Sequence, residues 1–250
     1  MPTFLLSAEE MDFNIHEMFT VNIFGLKFIF TSSLWNALCI AIGIVIFCAI
    51  VGAKVRKADP MKPQKGIVGL MEVAVEFLTK NTRDTMGPQK LNFTAFYGGL
   101  IIYIMICNLS GLLLWFVPYS NRLTIDFMRP PTADIAVTLS MALITFFMTQ
   151  GFAIKAKGVK GWLKALTEPV VFLTPINIIG EIANPISLSF RLMGNILAGT
   201  VIMGIYYALL PYFAYLISPA LHFYFDVFAG VLQSYIFMML SMIYVSGGME

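Results

Sequence analysis

Residues 184–199 read Asn184-Pro-Ile-Ser-Leu-Ser-Phe-Arg-Leu-Met-Gly-Asn-Ile-Leu-Ala-Gly199, an apolar stretch with a single charge at Arg191. After Arg191, no Asp, Glu, Lys or Arg occurs until Asp226. An arginine at the centre of a lipid bilayer costs about 2.5 to 3.5 kcal/mol even on lenient insertion scales. Arginine keeps its charge in proteins, so deprotonation cannot relieve this cost. A permanent charge in such a stretch indicates a functional site inside a membrane.

The composition of the whole chain is that of an integral membrane protein. Hydrophobic residues make up 58% of the 250 residues and charged residues only 12%, about half of the charged share in a soluble domain. A bilayer admits only helices or closed barrels, because lipid cannot hydrogen-bond to free backbone groups. The apolar runs are continuous and lack the alternation of barrel strands. We therefore predict an all-α polytopic membrane protein.

Five apolar segments and one amphipathic segment follow one another along the chain. Residues 1–33 are predicted to form an extracytoplasmic segment and residues 34–250 a single membrane domain. Within that domain we predict a first span at 34–53, an amphipathic surface helix at 65–86, a second span at 94–118, a third span at 134–154, a long helix at 169–210 and a final helix at 218–246.

The long helix at 169–210 is about twice as long as a bilayer is thick. Either Pro185 divides it into two spans, or one kinked helix crosses the membrane at a steep tilt. No polar loop occurs near Pro185, so we favour one tilted helix, which would form a hairpin with the final helix.

The distribution of basic residues predicts the orientation. Lysines and arginines cluster at 54–65, 80–90 and 155–164, which should therefore be cytoplasmic. The N-terminus would then lie outside and the C-terminus inside.

The net charge of +2 suggests no nucleic-acid partner. We predict no metal site, because His16 and His222 lack partners at metal-like spacing, and the three cysteines lie in apolar runs.

A stripe of polar residues accompanies Arg191 on the long helix. In a lipid environment such a stripe must face protein or water. At 100° per residue, five polar side chains fall within about 80° of Arg191: those of Asn177, Glu181, Asn184, Ser187 and Asn195.

The final helix carries Asp226 and Gln233 seven residues apart, hence on one face. One interpretation is a buried ion pair between Arg191 and Asp226. The polar stripe is longer than one ion pair requires, which favours a cation beside an aqueous ion path. For the other polar residues, helix capping and helix–helix hydrogen bonding remain an open alternative.

Two segments of the chain resemble subunit a of the F-type ATP synthase. The first is residues 185–199, with the specific pattern Arg-x-x-Gly-Asn at 191–195, and the second is Leu-Gln-Ser-Tyr-Ile-Phe-Met at 232–238. The spacing of these segments, the number of spans and the orientation also agree with that family. The N-terminal 30 residues or so add nothing to the resemblance.

The resemblance implies a stator subunit of a rotary motor in the bacterial plasma (inner) membrane. Such a subunit faces a ring of c subunits, assembles with the b-subunit peripheral stalk and the rest of the ATP synthase, and contacts lipid. It separates two aqueous half-channels and couples proton or sodium flow to rotation and ATP synthesis. It carries no cofactor and is not itself an enzyme, since nucleotide chemistry lies in other subunits.

The resemblance also assigns roles to single residues. Arg191 matches the essential arginine that faces the ion-binding carboxylate of the c-ring and prevents an ion short-circuit. Asn195 and Gln233 match polar positions near it. This chain has Thr200 where some members carry a glutamate, and Asp226 where those members often carry a histidine.

The orientation predicts which half-channel each remaining residue lines. Asn177, Glu181 and Asn184 precede Arg191 and would belong to the inner half-channel, whereas Asp226 would belong to the outer one.

Two other functions compete with this interpretation. An independent secondary transporter would use Arg191 to bind an anionic substrate, although the internal repeat of many transporters is missing. A purely structural membrane anchor would tolerate replacement of Arg191.

Overall fold

The computed structural model describes residues 17–23, 26–58, 66–112, 130–168, 170–209 and 214–249. Several predicted features lie outside these residues: the acidic segment before residue 17, the basic residues at 59–65, the end of the second span at 113–118 and most of the loop that follows it.

The described residues form a short β-hairpin followed by a helical bundle. The hairpin comprises β1 (Glu17–Ile23) and β2 (Leu26–Thr31). The helices are α1 (Ser32–Arg56), α2 (Ile67–Met86), α3 (Thr94–Leu109), α4 (Ile135–Thr167), α5 (Thr174–Leu209), α6 (Ala214–His222) and α7 (Ala229–Met249). A 3₁₀ turn, Pro88–Phe93, leads into α3, and a π-helical segment, Phe223–Phe228, joins α6 to α7.

Five helical stretches of the described chain are long and apolar enough to cross a membrane. They are Ser32–Arg56, Pro88–Leu112, Ile135–Thr167, Val171–Tyr206 and Ile217–Met249. Each overlaps one of the predicted membrane segments, and the prediction of an all-α polytopic membrane protein is confirmed. The division into an N-terminal segment and one membrane domain stays a prediction.

The hairpin was not expected from the sequence. β1 and β2 pair antiparallel, with Val21 opposite Phe28. The hairpin runs directly into α1, where the Thr31 hydroxyl accepts a hydrogen bond from the Leu34 N–H at 3.3 Å. This N-cap satisfies one of the free donors at the start of the helix.

Two helices depart from a straight α-helix in ways that shape the bundle. α5 continues for 36 residues through Pro185 without a dividing loop. It is therefore about 54 Å long, well beyond a hydrocarbon core of about 30 Å. In α4, Gly158 has φ 71° and ψ 164°, which breaks the helix after Lys157 and redirects residues 159–167. Only glycine adopts this conformation without strain.

The core of the bundle lies between α3, α4, α5 and α7. α4 packs along both α5 and α7, and α3 packs along α7, whereas α1 makes few contacts and is largely exposed. The main cluster of buried side chains consists of Ala37, Ile104, Val137, Met141, Ala142, Leu188, Leu192 and Phe237.

Hydrogen bonds between helices supplement this apolar packing. The hydroxyls of Thr138 on α4 and Ser189 on α5 lie 3.1 Å apart, as do those of Thr145 on α4 and Ser241 on α7. Within lipid, each such bond is worth roughly 0.6 kcal/mol on average and up to about 1.7. They attach both α5 and α7 to α4.

The start of α3 and the end of α7 lie on the same side of the bundle. Lys90, just before α3, donates a hydrogen bond from its Nζ to the Ser246 hydroxyl, near the end of α7, at 3.4 Å. The second basic cluster and the C-terminal end of α7 therefore share a side, as the predicted orientation requires. Which compartment that side faces stays a prediction.

We predict that Gly158→Ala destabilises the protein and Gly151→Ala does not. Neither glycine has any atom within 4 Å of where a Cβ would sit, but only Gly158 has a positive φ. The strain of an alanine in that conformation is about 1 to 3 kcal/mol, whereas alanine favours the helical position 151. Thermal unfolding of the detergent-purified protein measures both. Equal midpoints for the two variants would contradict the assigned turn.

Candidate functional site

Arg191 lies on the outward face of α5. Its side chain is exposed, as are its neighbours Ser187 and Phe190. A neighbouring face of the same helix is buried in the core through Leu188 and Leu192, which are 2% and 1% exposed. The guanidinium group is therefore presented to the surroundings of the bundle from an otherwise apolar surface.

Arg191 has no counter-charge in the part of the chain that the structure describes. No carboxylate there lies within ion-pairing distance of its guanidinium, and no hydrogen bond from it is formed. Asp226, the candidate partner, instead pairs with His222, with Oδ2 of Asp226 2.6 Å from Nδ1 of His222. The ion pair between Arg191 and Asp226 that the sequence allowed is thus not formed.

The pair of His222 and Asp226 is a feature that sequence reasoning missed. Their side chains are 19% and 27% exposed, so the pair is only partly shielded. Spacing of four residues puts both on one helical face, and this spacing was the available signal. Asp226 lies within the π-helical segment Phe223–Phe228, a type of local irregularity that is frequent at functional sites.

Gly199 lets this segment approach α5 closely. A Cβ at Gly199 would lie 3.3 Å from the Cβ of Phe225, the residue before Asp226. A Cβ at Gly194, one turn after Arg191, would meet no atom within 4 Å. The two glycines therefore differ: Gly199 is used for packing within the chain, and Gly194 faces open space.

Two further predicted residues, one on α5 and one on α7, are only partly buried. Asn195 is half-buried, and its Nδ2 atom is inaccessible and has no partner among the described residues. Gln233 on α7 is also half-buried. Since a buried amide donor without a partner is costly, the amide of Asn195 is an incompletely satisfied polar group on α5.

The predicted inner residues belong to a polar network between α4 and α5. Gln150 donates a hydrogen bond from Nε2 to Oε2 of Glu181 at 2.7 Å, and its Oε1 accepts one from Nε1 of Trp162 at 2.8 Å. Gln150 and Trp162 were not identified from the sequence. Their relation to Glu181 depends on how α4 and α5 pack, which no local pattern records.

Asn184 and Asn177 have different surroundings. Asn184 lines a small cleft beside Glu181, together with Thr145, Thr149 and Tyr244. Asn177 donates from Nδ2 to the carbonyl oxygens at the end of α4, that of Leu166 at 2.9 Å and that of Glu168 at 3.0 Å. Because these carbonyls lack partners within their helix, Asn177 acts as a cap, which was the open alternative for it.

Across the described ranges, no group of three His, Cys, Asp or Glu side chains is placed to hold a metal ion. The polar groups are instead distributed along α5 and α7, with Arg191 between the Glu181 network and the pair of His222 and Asp226.

The sequence profile of the family described as ATP synthase A chain matches residues 18–246. The chain belongs to the ATP synthase subunit a family. The two segments that resembled this family, around Arg191 and Gln233, both fall within the matched range, and the family prediction is confirmed.

Individual relatives agree with this assignment. The ATP synthase subunit a of Bacillus velezensis is 32% identical over 246 residues, covering 92% of this chain and 96% of the relative. That of Bacillus subtilis is 32% identical over 253 residues, with the same coverage. A protein of Propionigenium modestum named ATP synthase subunit a, sodium ion specific, is 35% identical over 179 residues. That match covers 70% of this chain but only 61% of the relative.

Membership of the subunit a family, together with the five membrane helices, defines the protein's general role. It is a multi-pass bacterial membrane protein, part of the ATP synthase complex, and an ion-translocating subunit of the membrane sector. The predicted association with ATP synthesis and ion transport is confirmed at this level. An independent secondary transporter is not supported.

We predict that Gly199→Ala weakens the packing of α5 against Phe225 and that Gly194→Ala leaves the isolated subunit unchanged. The added methyl at Gly199 forces a shift of a few tenths of an ångström, and overpacking of this kind typically costs about 1 to 3 kcal/mol. Thermal unfolding of the purified subunit gives both values. A stable Gly199→Ala variant would show that this contact is loose.

Proposed function

We propose that this subunit a is the stator surface on which ions change compartments, with Arg191 as the barrier between two aqueous half-channels. The observation that carries the proposal is the exposed guanidinium of Arg191, which has no counter-charge among the described residues. An unpaired permanent cation on an apolar membrane surface requires an anion from another chain.

The c-ring supplies this anion in the proposal. Each ring subunit bears one ion-binding carboxylate, and the carboxylate becomes charged when it releases its ion. Arg191 then offsets the cost of exposing a bare carboxylate to lipid, because opposite charges at close range favour the ionised form. Exposure of Arg191, rather than burial inside the bundle, supports this contact with a second chain.

The same charge prevents leakage. A cation that moves down a membrane potential of 100 mV gains about 2.3 kcal/mol per charge, so any direct path between the half-channels would dissipate the gradient. The fixed positive charge of Arg191 repels a cation at this point. A guanidinium is planar and weakly hydrated and can exchange a bidentate contact for a water-mediated one, so the ring can move on.

Two polar regions on either side of Arg191 form the half-channels in this proposal. Glu181 and Asn184, at the cleft beside α4, line the inner one. Asp226, held by His222, lines the outer one, and an imidazole beside a carboxylate suits the transfer of protons. Asn177 stabilises the inner end as a cap on α4.

Ser187, Asn195 and Gln233 complete the polar surface around Arg191. Ser187 is exposed one turn before the arginine, and Asn195 lies one turn after it. Asn195 adds an amide whose nitrogen lacks a partner among the described residues.

The remaining assignments follow from the same proposal. The subunit is non-catalytic, and other subunits carry out the nucleotide chemistry. It contacts the c-ring through α5 and α7 and is held by the b-subunit peripheral stalk. Its N-terminus lies outside and its C-terminus in the cytoplasm, which agrees with the basic residues in the last turns of α1, α2 and α4.

We predict that Arg191→Ala and Arg191→Lys abolish ion-driven ATP synthesis while the complex remains assembled. Alanine removes the charge, and lysine replaces a planar bidentate group by a point charge that loses its proton more readily when desolvated. ATP synthesis is measured in energised membrane vesicles, and assembly by native gel electrophoresis. Arg83→Ala, which removes an exposed cation from α2, is the control and should synthesise ATP normally. Normal synthesis in Arg191→Ala vesicles would refute the proposed barrier.

We also predict that cysteines at Asn184 and Asp226 react with water-soluble thiol reagents from opposite sides of the membrane. The two positions line opposite half-channels in the proposal. The variants are made after replacement of Cys39, Cys48 and Cys107, the first two of which are exposed.

The control for this experiment is Ile202→Cys, on an exposed apolar surface of α5 that is 43% accessible. It should react with lipid-soluble but not with water-soluble reagents. Labelling of both test cysteines from the same side would rule out the assignment of the half-channels.

A further inference from the structure

Gln150 connects two parts of the fold through one side chain. Its amide lies on α4 between Trp162, beyond the break at Gly158, and Glu181 on α5. The two hydrogen bonds, 2.7 Å to Glu181 and 2.8 Å from Trp162, are both short. Neither membership of the family nor the proposed barrier at Arg191 assigns a role to this network.

The chemistry of the three groups fixes the direction of both bonds. An indole N–H can only donate, and an ionised carboxylate can only accept. An amide is suited to stand between them, because its oxygen accepts from Trp162 and its nitrogen donates to Glu181. If the amide were rotated by 180°, its NH2 group would face the N–H of Trp162 and its oxygen would face the carboxylate of Glu181. Both contacts would be repulsive, so the amide has one orientation, and its N–H holds the carboxylate of Glu181.

The backbone around the network is built to hold Trp162 in place. Gly158 turns the chain through a positive φ of 71°, which directs residues 159–167 back toward α5. Asn177 then binds the carbonyl oxygens of Leu166 and Glu168 at the end of this segment. Trp162 is therefore anchored from both sides, and its N–H keeps Gln150 oriented.

The held carboxylate lies at the edge of the cleft that Asn184, Thr145 and Tyr244 line. Pro185, which also lines the cleft, has no N–H to give to the backbone carbonyl of Glu181. Glu181 thus presents a carboxylate at this space, and its backbone carbonyl lacks the usual helical donor four residues later. A membrane-embedded carboxylate with a single neutral donor is incompletely stabilised, so this space favours water or a cation.

We propose that Gln150 is a positioning residue for the inner half of the ion path, which acts by holding the Glu181 carboxylate at the cleft while Trp162 orients the Gln150 amide. This inference rests on the proposed function of the subunit. It predicts that ion flow depends on a carboxylate at this point of the cleft, whichever helix carries it.

The experiment exchanges the two side chains. Gln150→Glu alone places a second carboxylate against that of Glu181, and the two repel each other. Glu181→Gln alone removes the carboxylate. Because the held carboxylate is displaced in one single variant and absent in the other, we expect about a ten-fold loss of ATP-driven ion pumping in each. The double variant Gln150→Glu/Glu181→Gln restores one carboxylate, one amide and both hydrogen bonds. We expect it to recover pumping to within about three-fold of the unmodified complex.

A purely structural role of the network predicts a different pattern. Glu181→Gln keeps a hydrogen bond to Gln150, so a mere brace between α4 and α5 would leave pumping unchanged. If Gln150 acts through Glu181, Gln150→Leu adds no further loss in the Glu181→Gln background. Trp162→Phe, which keeps an aromatic ring and removes the N–H, should give a smaller loss than Gln150→Glu.

Pumping is measured with the whole ATP synthase in membrane vesicles and normalised to the amount of assembled complex. Glu76→Gln, which neutralises an exposed carboxylate on α2, is the matched control and should pump normally. Normal pumping in Glu181→Gln, or a double variant as slow as the single ones, would overturn the inference.

Arg191→Ala is assayed in parallel to separate the inference from the function on which it rests. Loss of ATP synthesis in Arg191→Ala with normal pumping in Glu181→Gln would reject the role of Gln150 alone. Normal synthesis in Arg191→Ala would reject the proposed barrier itself.

Discussion

The structure is organised around a charge that can be neither removed nor paired within the described chain. Arg191 keeps its proton under all ordinary conditions, and it lies exposed on α5 among apolar side chains. The carboxylate that could neutralise it, Asp226, is bound to His222 instead. In the proposed function, the counter-charge of Arg191 comes from a neighbouring subunit.

The first carboxylates before and after Arg191 in the sequence, Glu181 and Asp226, are held in different ways. Glu181 accepts from a neutral amide whose own orientation is fixed by an indole. Asp226 is paired with an imidazole within a π-helical segment. The amide nitrogen of a glutamine can only donate to a carboxylate, whereas a ring nitrogen of histidine can donate or accept, depending on the tautomer. The two sides of the arginine therefore have distinct chemistry, although both carry one acidic residue.

Much of the fold and the central residue of the site could be predicted from the sequence. Long apolar runs and the isolated Arg191 are local features, and membrane helices follow from them directly. The partner of Glu181 could not be predicted, because Gln150 is 31 positions away and meets it only through the packing of α4 on α5. Gly158 gave no clear signal either, since a glycine between lysines is compatible with helix or turn. The pairing of His222 with Asp226 had a local signal, because the two residues are four positions apart. From the sequence, we considered His222 only as a possible metal ligand.

The hydroxyl pairs that attach α5 and α7 to α4 bear on the mechanics of a motor. Thr138 with Ser189, and Thr145 with Ser241, link the two helices to a common support rather than to each other. In the proposed function, a rotor that turns against α5 and α7 would exert a sideways load on both, and this load would pass through α4 into the core of the bundle. The stiffness of the proposed stator surface would then depend on α4, the support that both helices share.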